Sequence, residues 1–134
     1  MRALVMLNAQ LRAEPAPPIL NQEYLAGLNR YLGAAHACEL LADGMIDLTG
    51  RLDRLAELAG HGDNNPIAAL AHEIVGAAGH LGLGLLSHLA AQVSLAARGG
   101  GDPTEWIEAM VEARAASIGA LRDYCAAFAD KIVA

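Results

Sequence analysis

The sequence predicts an all-α protein, an antiparallel four-helix bundle with a short additional N-terminal helix. The chain has 134 residues, which favours one domain with a single core. Hydrophobic residues make up 54% of it and aromatic residues only 4%. Alanine and leucine, which favour helices, far outnumber the β-branched residues. Glycine-rich and proline-rich breaks separate segments that have the apolar spacing of amphipathic helices.

The N-terminal residues 1–18 are predicted to be an arm or linker. Pro15, Pro17 and Pro18 fall within four positions, and a helix interior does not tolerate such a cluster. The apolar run from Ala3 to Leu7 is shorter than the hydrophobic region of a signal peptide, about 7–15 residues. No apolar stretch reaches the roughly 18 residues of a membrane span. We therefore expect a cytoplasmic protein that does not associate with a membrane.

Residues 19–134 are predicted to form the helical domain. A short helix is expected over 21–32, where Gly33 ends it, and a long helix over 34–59. The long helix carries apolar residues at alternating steps of four and three, which is typical of the seam of a bundle helix. That seam consists of Leu41, Met45, Leu48, Leu52 and Leu55.

A third helix is predicted over 66–80, with Asn65 as its N-cap and Pro66 at its first position. Gly82 and Gly84 interrupt the pattern, and a fourth helix then runs to the glycines that follow Arg98. The seam expected on the fourth helix is Leu86, Leu89, Val93 and Ala96.

The last helix is predicted over about 103–131. It begins at the sequence DPTE, in which Asp102 is the N-cap and Glu105 completes a near match to a capping box. Arg114 interrupts its apolar seam, and the sequence offers no reason for it. The seam expected on this helix is Ile107, Met110, Ile118, Leu121, Cys125 and Phe128.

Charge and cysteine content narrow the function classes. The formal net charge is −6, and the basic residues are eight arginines and one lysine without a basic run. Nucleic acid is therefore not an expected partner, because binding it requires clustered basic residues. Cys38 and Cys125 lie in apolar helical surroundings without a C-x-x-C motif. Buried free thiols are favoured over a disulfide.

The stretch AHEIVGAAGHLG, from Ala71 to Gly82, combines a histidine with glycines inside a predicted helix. At 100° per residue, the apolar side chains of this helix cluster about one direction, which must be its core face. That face consists of Ile67, Leu70, Ala71, Ile74, Ala78 and Leu81. His72 projects about 150° away from it and faces solvent. Gly76 and Gly79 lie on the same outward side, with Ala68 and Ala69 nearby.

This outward face predicts a docking surface for another protein. Each glycine in a helix interior destabilises the helix by about 1 kcal/mol relative to alanine. Glycines one and two turns after His72 are expected where a partner must approach the imidazole closely. The residues alone leave open a second interpretation, a solvated histidine beside tolerated glycines.

At these residues the chain resembles the histidine-containing phosphotransfer (Hpt) domains of two-component phosphorelays. The pattern of that family is His-x-Leu-Lys-Gly, followed by small residues and a Leu-Gly pair. It is matched here by His72, Ile74, Gly76, Ala77, Ala78, Gly79, Leu81 and Gly82. The resemblance covers roughly residues 20–130. It implies that His72 accepts a phosphoryl group from the aspartyl phosphate of a receiver domain and passes it to another receiver aspartate.

The resemblance also implies partners and cofactors. The expected partner is the receiver domain of a response regulator, or a hybrid histidine kinase, and it would dock on Ala68, Ala69, Val75, Gly76 and Gly79. Mg²⁺ and the acidic cluster belong to the receiver, so no cofactor or metal is expected in this chain. An imidazole with the ordinary histidine pKa of about 6.5 is a competent nucleophile at pH 7 without an activating base. We expect a phosphoryl carrier and not an independent enzyme.

The chain departs from the family pattern in its charge. Val75 stands where the family usually has lysine, and Gly84 and Leu85 stand where basic residues are common near the start of the next helix. Less positive charge would surround the phosphoryl group, and the docking face would be more apolar. The alternative function is therefore a helical adaptor that binds receiver or kinase domains through this face without phosphorylation.

Other chemistries are disfavoured by spacing. The sequence HEIVG begins like the zinc-protease motif H-E-x-x-H, but Gly76 occupies the position of the second ligand. Histidines spaced by eight residues drift by about 80° per step on a helix, which argues against a site built from His72, His80 and His88. The segment GLGLLS lacks the preceding strand of a dinucleotide site. Four further residues are assigned no chemistry, namely Ser87 and Ser94, which lack a base, and His36 and His61, which lack ligand partners. Glu73 is expected to be a solvated charge.

Overall fold

The fold is known from a computed structural model, which describes the backbone of residues 16–133 and the side chains of residues 16–128. The described residues form five α-helices and no strand. The helices are α1 (Gln22–Leu32), α2 (Ala34–Ala59), α3 (Asn64–His80), α4 (Gly84–Arg98) and α5 (Thr104–Val133). The predicted fold class is confirmed. Most of the predicted arm, residues 1–15, lies outside the described residues, and the division of the chain at residue 18 stays a prediction.

Helices α2 to α5 form a four-membered ring in which each helix packs against two others. Helix α3 lies between α2 and α4, and α5 lies between α4 and α2, so that α3 and α5 are diagonal to each other. Short connections make consecutive helices antiparallel. The seam of α2 is confirmed, since its four leucines are buried and Met45 is half-buried against the core. One helix of the ring, α3, therefore has two neighbours and one outward face.

The predicted seams of α4 and α5 are right in part. On α4, Leu86, Leu89 and Val93 are buried, but Ala97 continues the buried seam and Ala96 is only half-buried. On α5, Ile107, Met110 and Leu121 are buried, whereas Ile118, Cys125 and Phe128 are half-buried. The second half of α5 is less covered because an open groove separates it from α2 there.

Arg114 on α5 has a partner that the sequence did not reveal. Its Nη1 donates to Oδ1 of Asp53 on α2 at 2.6 Å, and both side chains are partly exposed. The arginine stem covers apolar surface at the helix boundary while the guanidinium reaches the carboxylate. The interruption of the α5 seam is therefore an ion pair that joins α5 to α2.

The start of α3 lies two residues earlier than predicted. Asp63 is the N-cap and accepts a hydrogen bond from the backbone N–H of Asn65 at 3.2 Å. The prediction of Asn65 as the N-cap is wrong because the carboxylate of Asp63 already accepts from a free backbone N–H of the first turn, that of Asn65 itself. Pro66 remains within that first turn, where a missing N–H has no consequence.

Helix α5 begins at Thr104, one residue after the predicted start, and Asp102 caps it as predicted. The carboxylate of Asp102 accepts hydrogen bonds from the hydroxyl and the backbone N–H of Thr104. These two hydrogen bonds lower the pKa of Asp102, the hydroxyl contributing more than the backbone N–H. The amide of Asn64 donates to the carbonyl of Gly101 at 3.0 Å and joins the starts of α3 and α5 at one end of the bundle.

At the other end, the turn between α3 and α4 depends on Gly82. Its φ of +71° lies in the left-handed region, and the N–H of Leu83 donates to the carbonyl of Ala78 at 3.0 Å, as in a Schellman motif. Helix α1 crosses this turn, because the N–H of Asn21 donates to the carbonyl of Gly82 at 2.7 Å. Leu25 of α1 packs on the turn so closely that a Cβ on Gly82 would lie 2.6 Å from its Cγ. The turn therefore fixes α1, α3 and α4 together.

Replacing Gly82 with alanine should destabilise the protein by about 2–4 kcal/mol, since the left-handed conformation and the crowding against Leu25 both oppose a side chain. Urea unfolding followed by circular dichroism measures this change. The matched control is Gly119→Ala, because Gly119 is helical and its Cβ would meet no atom within 4 Å. The control should be neutral or stabilising by up to about 1 kcal/mol. Equal unfolding midpoints for the two variants would contradict the role assigned to the turn.

Candidate functional site

The orientation of α3 follows from the residues that it buries. Ala71, Ile74 and Ala78 are 0% exposed, and they point into the ring between α2 and α4. Ile67, Leu70 and Leu81 are also buried, so the whole predicted core face of this segment is confirmed. Because side chains leave a helix at 100° intervals, burial of this face turns His72 outward. His72 is exposed in the structure.

The surface around His72 consists of small residues. Ala69, Gly76 and Gly79 are exposed, and Val75 is half-buried at the edge of the core. We call these four residues together with His72 the His72 surface. None of these four residues carries a charge or a hydrogen-bonding side chain. The imidazole of His72 is therefore the one reactive group of the His72 surface.

Ala68, which the sequence placed on this surface, is buried. It is 6% exposed, and its carbonyl accepts a hydrogen bond from Ser94 of α4 at 3.3 Å. The expectation that Ala68 is exposed is wrong because α4 packs along that flank of α3 and widens the buried arc on one side. Ala68 lies about 110° from the centre of the core face, where helical geometry alone leaves burial undecided.

Gly76 has no structural reason to be a glycine. A Cβ built on it would meet no atom within 4 Å, and its φ lies outside the left-handed region. A Cβ on Gly79 would meet only the hydroxyl oxygen of Ser87 at 3.7 Å, which is an ordinary contact. Alanine at either position would fit and would favour the helix. The absence of side chains here is therefore a property of the surface and not a requirement of the fold.

Two serines of α4 hold α3 in place from behind. Ser87 donates to the carbonyl of Val75 at 2.9 Å, and Ser94 donates to that of Ala68. Both hydroxyls bond to backbone of α3, and neither contacts a histidine or a carboxylate in these bonds. Their role is to fix α4 against α3 on either side of His72, which agrees with the sequence assignment of no nucleophilic chemistry.

Glu73 is paired, which corrects the expectation of a simple solvated charge. Nη1 of Arg51 on α2 donates to Oε1 of Glu73 at 3.2 Å, and Nε of the same arginine donates to Oδ2 of Asp47 at 3.1 Å. Such exposed pairs contribute only about 0–1 kcal/mol each. At the site, these two carboxylates occupy the guanidinium of Arg51, which lies next to α3. The spacing of Asp47 and Arg51 is visible in the sequence, but the contact between α2 and α3 is not.

The departures from the family charge pattern have local consequences in the structure. The side chains of Val75 and Leu85 both pack against the core. At Gly84 a Cβ would lie 3.1 Å from the carbonyl oxygen of Pro18, so that the segment before α1 leaves little room for a side chain. The start of α4 therefore offers no cation to the His72 surface.

The other histidines are not brought together with His72, although His80 directly follows Gly79 on α3. His36, His61 and His80 are exposed at separate places on α2, a loop and the end of α3, and His88 is half-buried on α4. In the part of the chain that the structure describes, no three His, Cys, Asp or Glu residues form a group that could hold a metal ion. The same part contains no helix long and apolar enough to cross a membrane.

Comparison with protein families matches residues 39–131 to the Hpt domain. The match covers more than half of the 134 residues and includes α3 with all of the His72 surface. The chain belongs to the Hpt domain family. No curated protein and no solved structure matched it. Hpt domains carry out histidine phosphotransfer in two-component phosphorelays and interact there with receiver domains and histidine kinases.

Proposed function

We propose that this protein is a phosphorelay intermediate whose phosphoacceptor is His72. It accepts the phosphoryl group from the aspartyl phosphate of one receiver domain and transfers it to the aspartate of another. The observation that carries this proposal is the exposed imidazole on a surface kept free of side chains where the fold would accept them. Membership of the Hpt family supports it.

The chemistry requires little of the carrier. The lone pair of an unprotonated imidazole nitrogen attacks phosphorus, and the bond between phosphorus and the aspartyl oxygen breaks. The carboxylate leaves with the bonding electrons, and the reverse reaction charges the next receiver. Catalysis of phosphoryl transfer is mainly positioning and charge stabilisation, and the receiver supplies Mg²⁺ for the second of these. The carrier needs no cofactor of its own in this scheme.

The shape of the His72 surface suits a receiver. The aspartate of a receiver lies within its own active site, so the imidazole must enter that site while the helix around it remains in contact with the rim. Residues at one-turn spacing share a helix face, and side chains at positions 76 and 79 would meet the rim before His72 reached phosphorus. The partner is a response-regulator receiver or a hybrid histidine kinase, and the protein acts with it in the cytoplasm.

The charges near His72 determine the rate of phosphoryl transfer that is expected of this carrier. Because Val75 replaces the usual lysine and Arg51 is held by Asp47 and Glu73, the receiver must supply most of the positive charge that the phosphoryl group meets. The same apolar departure favours the second candidate, an adaptor that binds receivers without being phosphorylated. The two functions differ in one measurable product, a phosphohistidine.

His72→Gln should abolish phosphate incorporation from a panel of radiolabelled phospho-receivers, because glutamine has no nucleophilic nitrogen. The wild-type product should be labile in acid and stable in alkali. Stability should change by no more than about 0.5 kcal/mol, since the side chain is exposed. His80→Gln is the matched control, because His80 is an exposed histidine on the same helix and should leave incorporation unchanged. Equal labelling of wild type and His72→Gln would overturn the assignment, and binding without labelling would favour the adaptor.

Gly76→Leu should slow transfer about tenfold or more by obstructing the receiver, while raising stability by up to about 1 kcal/mol through helix propensity. Gly119→Leu is the control, because a Cβ on Gly119 would likewise meet no atom within 4 Å and the residue lies on α5, diagonal to α3. It should leave the rate unchanged. Rapid-quench transfer and urea unfolding give the two quantities. Transfer by Gly76→Leu at the parental rate would show that no partner approaches closely at this glycine.

Val75→Lys should accelerate transfer from a receiver by a few-fold to about a hundredfold. The stem of a lysine can cover the core edge that Val75 now covers, while its ammonium reaches toward the phosphoryl group. A charge contact in water contributes only about 0.2–1 kcal/mol, and one in a docked interface about 1.5–3 kcal/mol. Single-turnover transfer, measured at low and at high salt, distinguishes a charge contact in water from one in a docked interface. An unchanged rate at both salt concentrations would mean that charge at this position does not limit transfer.

A further inference from the structure

Cys38 and Cys125, which are far apart in sequence, lie side by side across the groove between α2 and α5. The groove has a volume of about 760 Å³, and both cysteines line it. Its walls show the register of the two helices. The residues at 38, 42 and 46 of α2 line it together with those at 126, 122 and 118 of α5, at equal steps of four in opposite directions. Antiparallel packing therefore brings the levels of Cys38 and Cys125 together.

The two thiols are free, half-buried and hydrogen-bonded to each other. The expectation of free thiols is confirmed, and the expectation that they are buried is wrong, since both are half-buried. Since the two thiols line the same groove and are within hydrogen-bonding reach of each other, joining them requires no change in the register of the helices. Since the groove is open and has the size of a small-molecule site, a small reagent can reach them from solvent.

We propose that Cys38 and Cys125 are a site of reversible oxidation, at which a low-molecular-weight disulfide converts the two thiols into a covalent link between α2 and α5. In the first step the Cys38 thiolate attacks one sulfur of the reagent, forms a mixed disulfide and releases the first reagent thiolate. The Cys125 sulfur then attacks Cys38 Sγ, forms the intramolecular disulfide and releases the second. The two protons lost by the cysteines end on the two released thiols, so the reaction needs no other oxidant.

The surroundings of Cys125 fit the second position in this sequence. The pKa of its thiol is raised to about 12, mainly by burial and additionally by the hydrogen bond and the charge of Cys38. A thiol with a raised pKa is a poor first nucleophile. Once Cys38 carries the reagent, its charge and its thiol are gone, and only burial still opposes the ionisation of Cys125.

This link would act on a part of the bundle that is incompletely covered. The groove lies along the second half of α5, where Ile118 and Cys125 are only half-buried. On α2, the nearby Ile46 is 75% exposed. A disulfide here closes a loop that contains most of α2, all of α3 and α4, and most of α5, and long loops give the largest stabilisation. His72 lies on the diagonal helix from α5, so the oxidation site is separate from the proposed phosphoacceptor.

The test is to treat the folded wild-type protein with oxidised glutathione and to measure its intact mass, its free thiols and its melting temperature. The expected product is a monomer that has lost two hydrogen atoms, has no free thiol and melts roughly 5–15 °C higher than the reduced protein. Dithiothreitol should reverse all three changes. Cys125→Ser should instead keep one glutathione on Cys38 and show no such rise in melting temperature.

The double variant Cys38→Ser with Cys125→Ser is the control, and its mass and melting temperature should not respond to the reagent. A wild-type product that carries two glutathiones, or a disulfide between two copies of the chain, would overturn the proposal. Retention of both free thiols under the same treatment would overturn it as well. None of these readouts depends on phosphotransfer, so the outcome is independent of the function proposed for His72.

Discussion

Burial of one face of α3 is the constraint on which the rest of the site depends. Ala71, Ile74 and Ala78 are completely buried between two neighbouring helices, and two of these three are alanines that let the neighbours approach. If this helix rotated, Ile74 would become exposed. The protein would then lose the roughly 1.5–3 kcal/mol of stabilisation that burial of this side chain contributes. The opposite face is therefore fixed toward solvent. The direction of the imidazole is a consequence of core packing and needs no contact of its own.

The glycines of α3 and its following turn divide into two kinds. Gly82 has a left-handed backbone and lies against Leu25, so the fold requires it. Gly76 is an ordinary helical residue with open space around it, so the fold does not. In the sequence the two look alike and stand in the same motif. Only the structure separates a glycine that holds three helices together from one that leaves room for a partner.

Features that depend on periodicity along one helix could be predicted from the sequence. The bounds of α2, the buried face of α3 and the exposure of His72 all follow from spacing at 100° per residue. Features that depend on a neighbouring helix could not. The burial of Ala68 requires knowing that α4 covers that flank, and the partner of Arg114 lies on α2, far away in sequence. The proximity of Cys38 and Cys125 in one groove likewise follows only once α2 and α5 are placed in register.

The bare surroundings of His72 bear on how long a phosphoryl group would remain there. Loss of phosphate to water is accelerated by a general base that activates a water molecule, or by a cation that stabilises the developing charge. The alanine, valine and glycines of the His72 surface provide neither, and the adjacent carboxylate of Glu73 is held by Arg51. On the proposed function, none of the small residues of the His72 surface would promote hydrolysis of the phosphate on the charged carrier. On that function, the lifetime of the phosphohistidine is set by encounters with receivers and not by hydrolysis on the carrier.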